Sequence, residues 1–293
     1  MFFVVQYNYK GRINFLEKRK NVSAEKINVE KQYEQYIEKI KNLRLIDDDF
    51  MSKVFEDREC TEVLLRAILK KKDLQVKAVK TQYDIHNLQG RSVRLDVIAE
   101  DKSGQIFDIE IQRSNKGAAP KRARYNSSII DANITNPGDD YKNLKETYVI
   151  FITEKDVFGA GKLLYHIDRT IKETKKPFGD DAHIIYVNSQ IQNNTSLGKI
   201  MHDFYCTNPN DITNRILKKR VKFFKESQKG VDIMCNAFEE VMLEGEKRKA
   251  KESARNLLKL GKLTNKEIAD SLGLSVYEVK LIKEEEENNL KAV

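Results

Sequence analysis

Two spacings of apolar residues divide the chain. Alternation at every second position over Arg91 to Ala99 and Gln105 to Ile111 predicts a pair of strands. The unbroken apolar runs YVIFI, within Thr147 to Thr153, and HIIYV, within Ala182 to Val187, predict interior strands, and Leu74 to Val79 is a further candidate. Apolar residues three and four apart predict helices over Pro120 to Ile134 and Gly161 to Thr174. Another helix, capped by Asp47, Asp48 or Asp49, runs with a break through Phe50, Val54, Val63, Leu64, Ala67 and Ile68. Strands interleaved with helices over residues 46–205 predict an α/β domain built on a mixed sheet flanked by helices.

The flanks read differently. Residues 1–45 form a basic arm or helix, with a broken helical spacing from Glu25 to Leu45. Residues 206–245 form a connector that is helical from about Asp211 to Met242. In residues 246–293 the punctuation is sharper. Gly261 ends one helix, Thr264 with Glu267 makes a capping box for the next, Gly273 ends that one, and Ser275 with Glu278 caps a third. Leu257, Leu258, Ile268, Ala269, Leu272, Leu274, Val279 and Ile282 supply its core, which predicts an all-α helix-turn-helix unit.

Charge adds a bias toward polyanions. The 293 residues carry a net +8, of which +5 falls in residues 1–44, none in 45–205 and +3 in 206–293. Any grip on phosphates by the central domain therefore rests on local clusters. The apolar run Phe2 to Val5 is far too short to cross a bilayer, and no membrane partner is expected. Cys60, Cys206 and Cys235 are odd in number and far apart, which fits reduced thiols of a cytoplasmic protein. His86, His166, His183 and His202 lack metal-ligand spacing and are read as structural.

The segment RSVRLDVIAEDKSGQIFDIEIQR, residues 91–113, carries the chemistry. A three-residue turn at Lys102, Ser103 and Gly104 gives facing pairs whose positions sum to 206. Leu95, Val97 and Ala99 then share a core face with Ile111, Ile109 and Phe107. The other face pairs Arg94 with Gln112, Asp96 with Glu110 and Ile98 with Asp108. A two-residue turn would mix polar and apolar residues on both faces. Facing carboxylates repel unless a cation lies between them, and an all-oxygen site favours Mg2+ or Mn2+ over zinc. The competing reading is a solvent face neutralised by Arg94 or a lysine, and residue types alone weigh the two evenly.

Asp96 in LDV, followed by Glu110 and Gln112 in DIEIQ, resembles the PD-(D/E)xK nuclease superfamily, with Gln112 where most members place lysine. GDDYKNLKETYVIFIT, DDAHIIYVN, LGKIMHDFYC and VKFFKESQKGVDIMC extend the likeness to its Rpn, or PD-(D/E)xK-family transposase, group over roughly residues 46–290. The resemblance implies a restriction-endonuclease-like sheet. It implies a metal held by Asp96 and Glu110 with the Ile111 carbonyl, a water oriented by Gln112, and an additional helix acid, first Glu62 and second Asp49.

Between Ile111 and Ile130 stand Arg113, Lys116, Lys121, Arg122 and Arg124 and no acid, so Arg113, Lys121, Arg122, Arg124 and Tyr125 are candidates for holding phosphates. Tyr277 and Lys280, near the start of the third C-terminal helix, are candidates for nucleic-acid contact, opposed by the run Glu284 to Glu287. The expected function is a metal-dependent DNA endonuclease of transposase or recombination type. A DNA-binding or regulatory protein that keeps the fold but cleaves little, and a nuclease acting on RNA, are the alternatives. Homo-oligomerisation is left open.

Overall fold

The computed structural model describes the backbone of residues 22–85, 87, 91–113 and 117–291, and side chains from residue 31 to residue 286 within those limits. His86, Lys116 and most of the N-terminal arm lie outside them. The chain divides into two compact units, Met1–Met234 and Cys235–Val293.

In the first unit, helix α1 (Val22–Asn42) precedes α2 (Asp48–Phe55) and α3 (Arg58–Leu69), and the strands β1 (Val76–Ile85), β2 (Val93–Asp101) and β3 (Ile106–Gln112) follow. After α4 (Pro120–Ile134) come β4 (Thr147–Thr153), β5 (Leu164–Ile167), β6 (Ala182–Asn188), α5 (Ser196–Tyr205) and α6 (Arg215–Glu226). The strands form one mixed sheet in the order β1-β2-β3-β4-β6-β5. The first three are an antiparallel meander, β3, β4 and β6 run parallel, and β5 closes the edge antiparallel to β6.

The expected hairpin register holds. Val97 faces Ile109, Ile98 faces Asp108 and Ala99 faces Phe107. The turn closes through Gly104 N–H to the Asp101 carbonyl at 3.1 Å, with Gly104 at a φ of 89°, where a Cβ is disfavoured. Asp101 reinforces it by accepting from the amides of Ser103 (2.9 Å) and Gln105 (3.0 Å).

Both sheet faces are covered, so the face that carries the acids is not a solvent face. Helix α4 lies over it, and Ala118, Ala123, Ile129 and Ile130 form one core with Ile106, Val149, Phe151 and Tyr186. Elsewhere Phe50 packs on Phe224 and Phe55 on Phe204, at ring separations of 6.0 and 5.9 Å. The end of α1 joins this unit through the buried Ile40 and Leu43, and Lys225 donates to the carbonyls of Lys41 (2.9 Å), Leu43 and Thr207. Two of those acceptors lie at the helix end, where carbonyls lack partners within the helix.

The expected helix over Gly161 to Thr174 is replaced by β5 and a turn. Gly159 and Gly161 take positive φ just ahead of it, and the β-prone Leu164–Ile167 pairs with β6. The helix after Asp47 breaks between Phe55 and Arg58, where Asp57 caps α3 through the Cys60 amide at 3.1 Å. Cys60 and Cys235 are buried, Cys206 is half-buried, and all three are free thiols.

The second unit contains the end of α7 (Gln228–Leu260), then α8 (Asn265–Leu272) and α9 (Val276–Lys291). Thr264 and Glu267 form the expected capping box, Ser275 and Glu278 repeat it, and Gly261 and Gly273 both take φ 65°. Ile268, Ala269, Val279 and Ile282 make the small core with Ala254. The acidic run is partly neutralised within the unit, since Arg255 pairs with Glu285 and Glu286, and Lys259 with Glu286.

Candidate active site

Past Val97 and Ile109 a carboxylate continues the hydrogen bonding between β2 and β3. The Ile111 amide donates to Asp96 Oδ2 at 2.9 Å, and the Asp96 amide donates to Glu110 Oε1 at 3.3 Å. Each acid is thus fixed by the backbone of the strand that carries the other. Asp96 is 8% exposed and Glu110 is fully buried.

A third acid joins them. Asp108 precedes Glu110 by two residues on β3, so both side chains point to the same face. It is fully buried and accepts from Asn126 Nδ2 at 3.0 Å, while its Oδ1 has no hydrogen-bond partner. Arg122, one helical turn before Asn126 on α4, forms an ion pair with Glu110, donates to the Gly117 carbonyl at 3.0 Å and lies over the Phe151 ring.

Burial dominates the electrostatics. Loss of water, then the charges of Glu110 and Asp48, push Asp96 up to about 8 against the opposing pull of the Ile111 amide and Arg122. Loss of water, then Asp108, push Glu110 up to about 8, with Arg122 opposing. Asp108 rises to about 7, mainly through burial, with the Asn126 amide opposing. Among the described residues, one guanidinium is paired within this group of three buried acids.

Asp48 is the helix acid that acts on this group. It opens α2 with its side chain exposed, yet its charge raises Asp96. Crowding by protein atoms and then Asp49 raise its own pKa, opposed by Arg122 and by a hydrogen bond from Gln82. Neither sequence candidate does this. Glu62 accepts from the Val76 amide at 2.9 Å and from Arg66 at 2.8 Å. Val76 pairs with Asp101, five residues along β2 from Asp96, or about 16 Å at strand rise. Asp49 raises the pKa of Asp48.

Gln112 follows Glu110 on the same face, its amide against Gly117, where an added Cβ would lie 1.5 Å from Gln112 Oε1. Of the expected phosphate contacts, Arg113 pairs with Asp47 at 3.0 Å and Glu154 at 3.4 Å, and Tyr125 donates to the Arg91 carbonyl. Lys121 and Arg124 are exposed on α4. Tyr277 and Lys280 are exposed on α9, within the second unit.

The donor set suits a hard divalent cation: carboxylate oxygens converge, positive charge among the described residues falls short, and two buried oxygens, Asp108 Oδ1 and Asn126 Oδ1, lack a partner. The group His202, Asp203 and Cys206 fits a metal less well, because Asp203 already accepts from Thr213 and Asn214. Among the described residues no helix is long and apolar enough to span a membrane.

The family model for PD-(D/E)XK nuclease family transposases matches residues 49–259, a stretch that contains Asp96, Asp108, Glu110, Gln112 and Arg122. No curated protein and no solved structure gives a significant match. With most of its length matched, the chain belongs to the PD-(D/E)XK nuclease family transposases.

Proposed function

We propose that the protein is a metal-dependent DNA endonuclease of transposase or recombination-promoting type, with Asp96 and Glu110 as metal ligands, the Ile111 carbonyl beside them, and Asp48 as the helix acid. The observation that carries this reading is the cluster of three buried carboxylates, of which Glu110 alone is paired with a cation, Arg122, among the described residues, an arrangement that costs stability unless a further cation offsets it. Mg2+ or Mn2+ in that position would activate a water and neutralise charge on the phosphodiester.

The chain's own groups have distinct tasks in this scheme. Strand β3 presents Glu110 while its Ile111 amide holds Asp96 in place. Arg122 orients Glu110 through a charge-assisted hydrogen bond and brings the positive charge that Gln112 cannot supply. Gln112 can position a water through its amide. Lys121 and Arg124, exposed on the same helix as Arg122, are suited to phosphates flanking the scissile bond. Tyr277 and Lys280 are proposed as auxiliary DNA contacts.

A supercoiled-plasmid assay tests the reading. Wild type should nick DNA with Mg2+ or Mn2+ and not in EDTA, and Asp96→Ala and Glu110→Ala should lose the activity. Cleavage that survives Asp96→Ala means the site is wrong. The second reading, a DNA-binding protein with little cleavage, is favoured by the uncharged Gln112 amide lying against Gly117; binding without nicking in the wild type supports it. Parallel RNA substrates identify an RNA nuclease.

A further inference from the structure

Strand β1 carries one backbone irregularity opposite the acids. Thr81 pairs with Val97 and Tyr83 with Leu95, so the position facing Asp96 is Gln82. Gln82 has a φ of 48°, in the left-handed region that a residue with a side chain seldom occupies inside a strand. Such conformations persist where the surroundings hold them, and they concentrate at functional sites.

What holds Gln82 is on α2. Its Nε2 donates to Ser52 Oγ at 2.8 Å, and the amide favours the charged form of the Asp48 carboxylate, lowering its pKa. Ser52 is buried and commits its own proton to the Asp48 carbonyl at 3.1 Å, so its oxygen is left to accept. Both demands are for a donor, which an amide NH2 with two hydrogens meets and a carboxylate or hydroxyl in its place would not. The twisted backbone therefore ties the first turn of α2 to the strand position beside Asp96.

We infer that Gln82 is a positioning residue, held in a strained backbone conformation so that its amide, through Ser52, fixes the first turn of α2 and with it Asp48 beside the metal-binding acids. This rests on the proposed metal site and deepens it. Partners of this kind, one bond removed from a ligand, typically alter metal affinity by about 10–100-fold.

The test is Mn2+ titration calorimetry on the full chain, with thermal unfolding in EDTA, for wild type, Gln82→Gly, Asp48→Asn and the double variant. Glycine accepts the positive φ, so Gln82→Gly should keep or raise the unfolding midpoint while Mn2+ affinity falls about tenfold. Asp48→Asn should weaken Mn2+ binding, and adding Gln82→Gly to it should weaken binding no further. Unchanged Mn2+ affinity in Gln82→Gly, or losses that multiply in the double variant, would overturn the inference while leaving the metal site intact. A wild type that does not bind Mn2+, or that binds it equally well as Asp96→Ala, would instead overturn the metal site and this inference with it.

Discussion

The amide of Ile111 donates to the Asp96 carboxylate over 2.9 Å, so the strand that bears Glu110 also aims its partner acid. Two carboxylates placed this way lose hydration and repel one another. Without a cation, neutralising either one should relieve the fold. Asp96→Asn and Glu110→Gln should each unfold at a higher temperature than wild type in EDTA at pH 8, and both should fail to nick plasmid. Differential scanning calorimetry beside the nicking assay checks the trade.

The raised acids also set a pH dependence. Carboxylates in the unfolded chain titrate near 4, whereas Asp108 rises to about 7 and Asp96 and Glu110 to about 8 in the fold. Between those limits the folded state binds more protons than the unfolded one, so stability falls as pH rises from about 4 to about 8. Metal-free protein should therefore melt lower at pH 8 than at pH 6, and Asp108→Asn should flatten the slope. A flat or rising profile for wild type contradicts the assignment.

Arg122→Met removes the only cation paired with the buried Glu110 among the described residues. At pH 8 in EDTA this should cost about 2 kcal/mol, less than for a wholly buried pair because the Arg122 side chain is 35% exposed. The cost should shrink at pH 5, where Glu110 is protonated, and in the Glu110→Gln background. Chemical denaturation at the two pH values measures both effects.

Much of this site is legible in the sequence because β2 and β3 alternate cleanly. The alternation and the Gly104 turn together fix the register and place Asp96 against Glu110 before any coordinates are known. Three features escape the pattern for physical reasons. Asp47, Asp48 and Asp49 begin one helix, and only tertiary packing decides whose charge acts on Asp96. Asp108 falls on the acid face opposite Ile98, but periodicity does not report that α4 covers that face. Arg122 reads as one of several basic residues suited to phosphates, and its pairing with Glu110 inside the fold depends on how α4 rests on β3. The edge strand β5 was masked by a spacing that fits a short helix equally well.

Gly117 faces the end of Gln112, a flexible amide that can swing away when a methyl is added. Gly117→Ala should change stability by less than about 1 kcal/mol while displacing that amide. If Gln112 positions the reacting water, Gly117→Ala should lower the cleavage rate as Gln112→Ala does, and the double variant should be no slower than either. Single-turnover rates for the three proteins decide it.

The most direct measurement is anomalous diffraction from a crystal soaked in Mn2+. One peak in contact with the carboxylates of both Asp96 and Glu110, lost in Asp96→Ala crystals, is the predicted result. Saturating Mn2+ with no peak at those carboxylates would contradict the account.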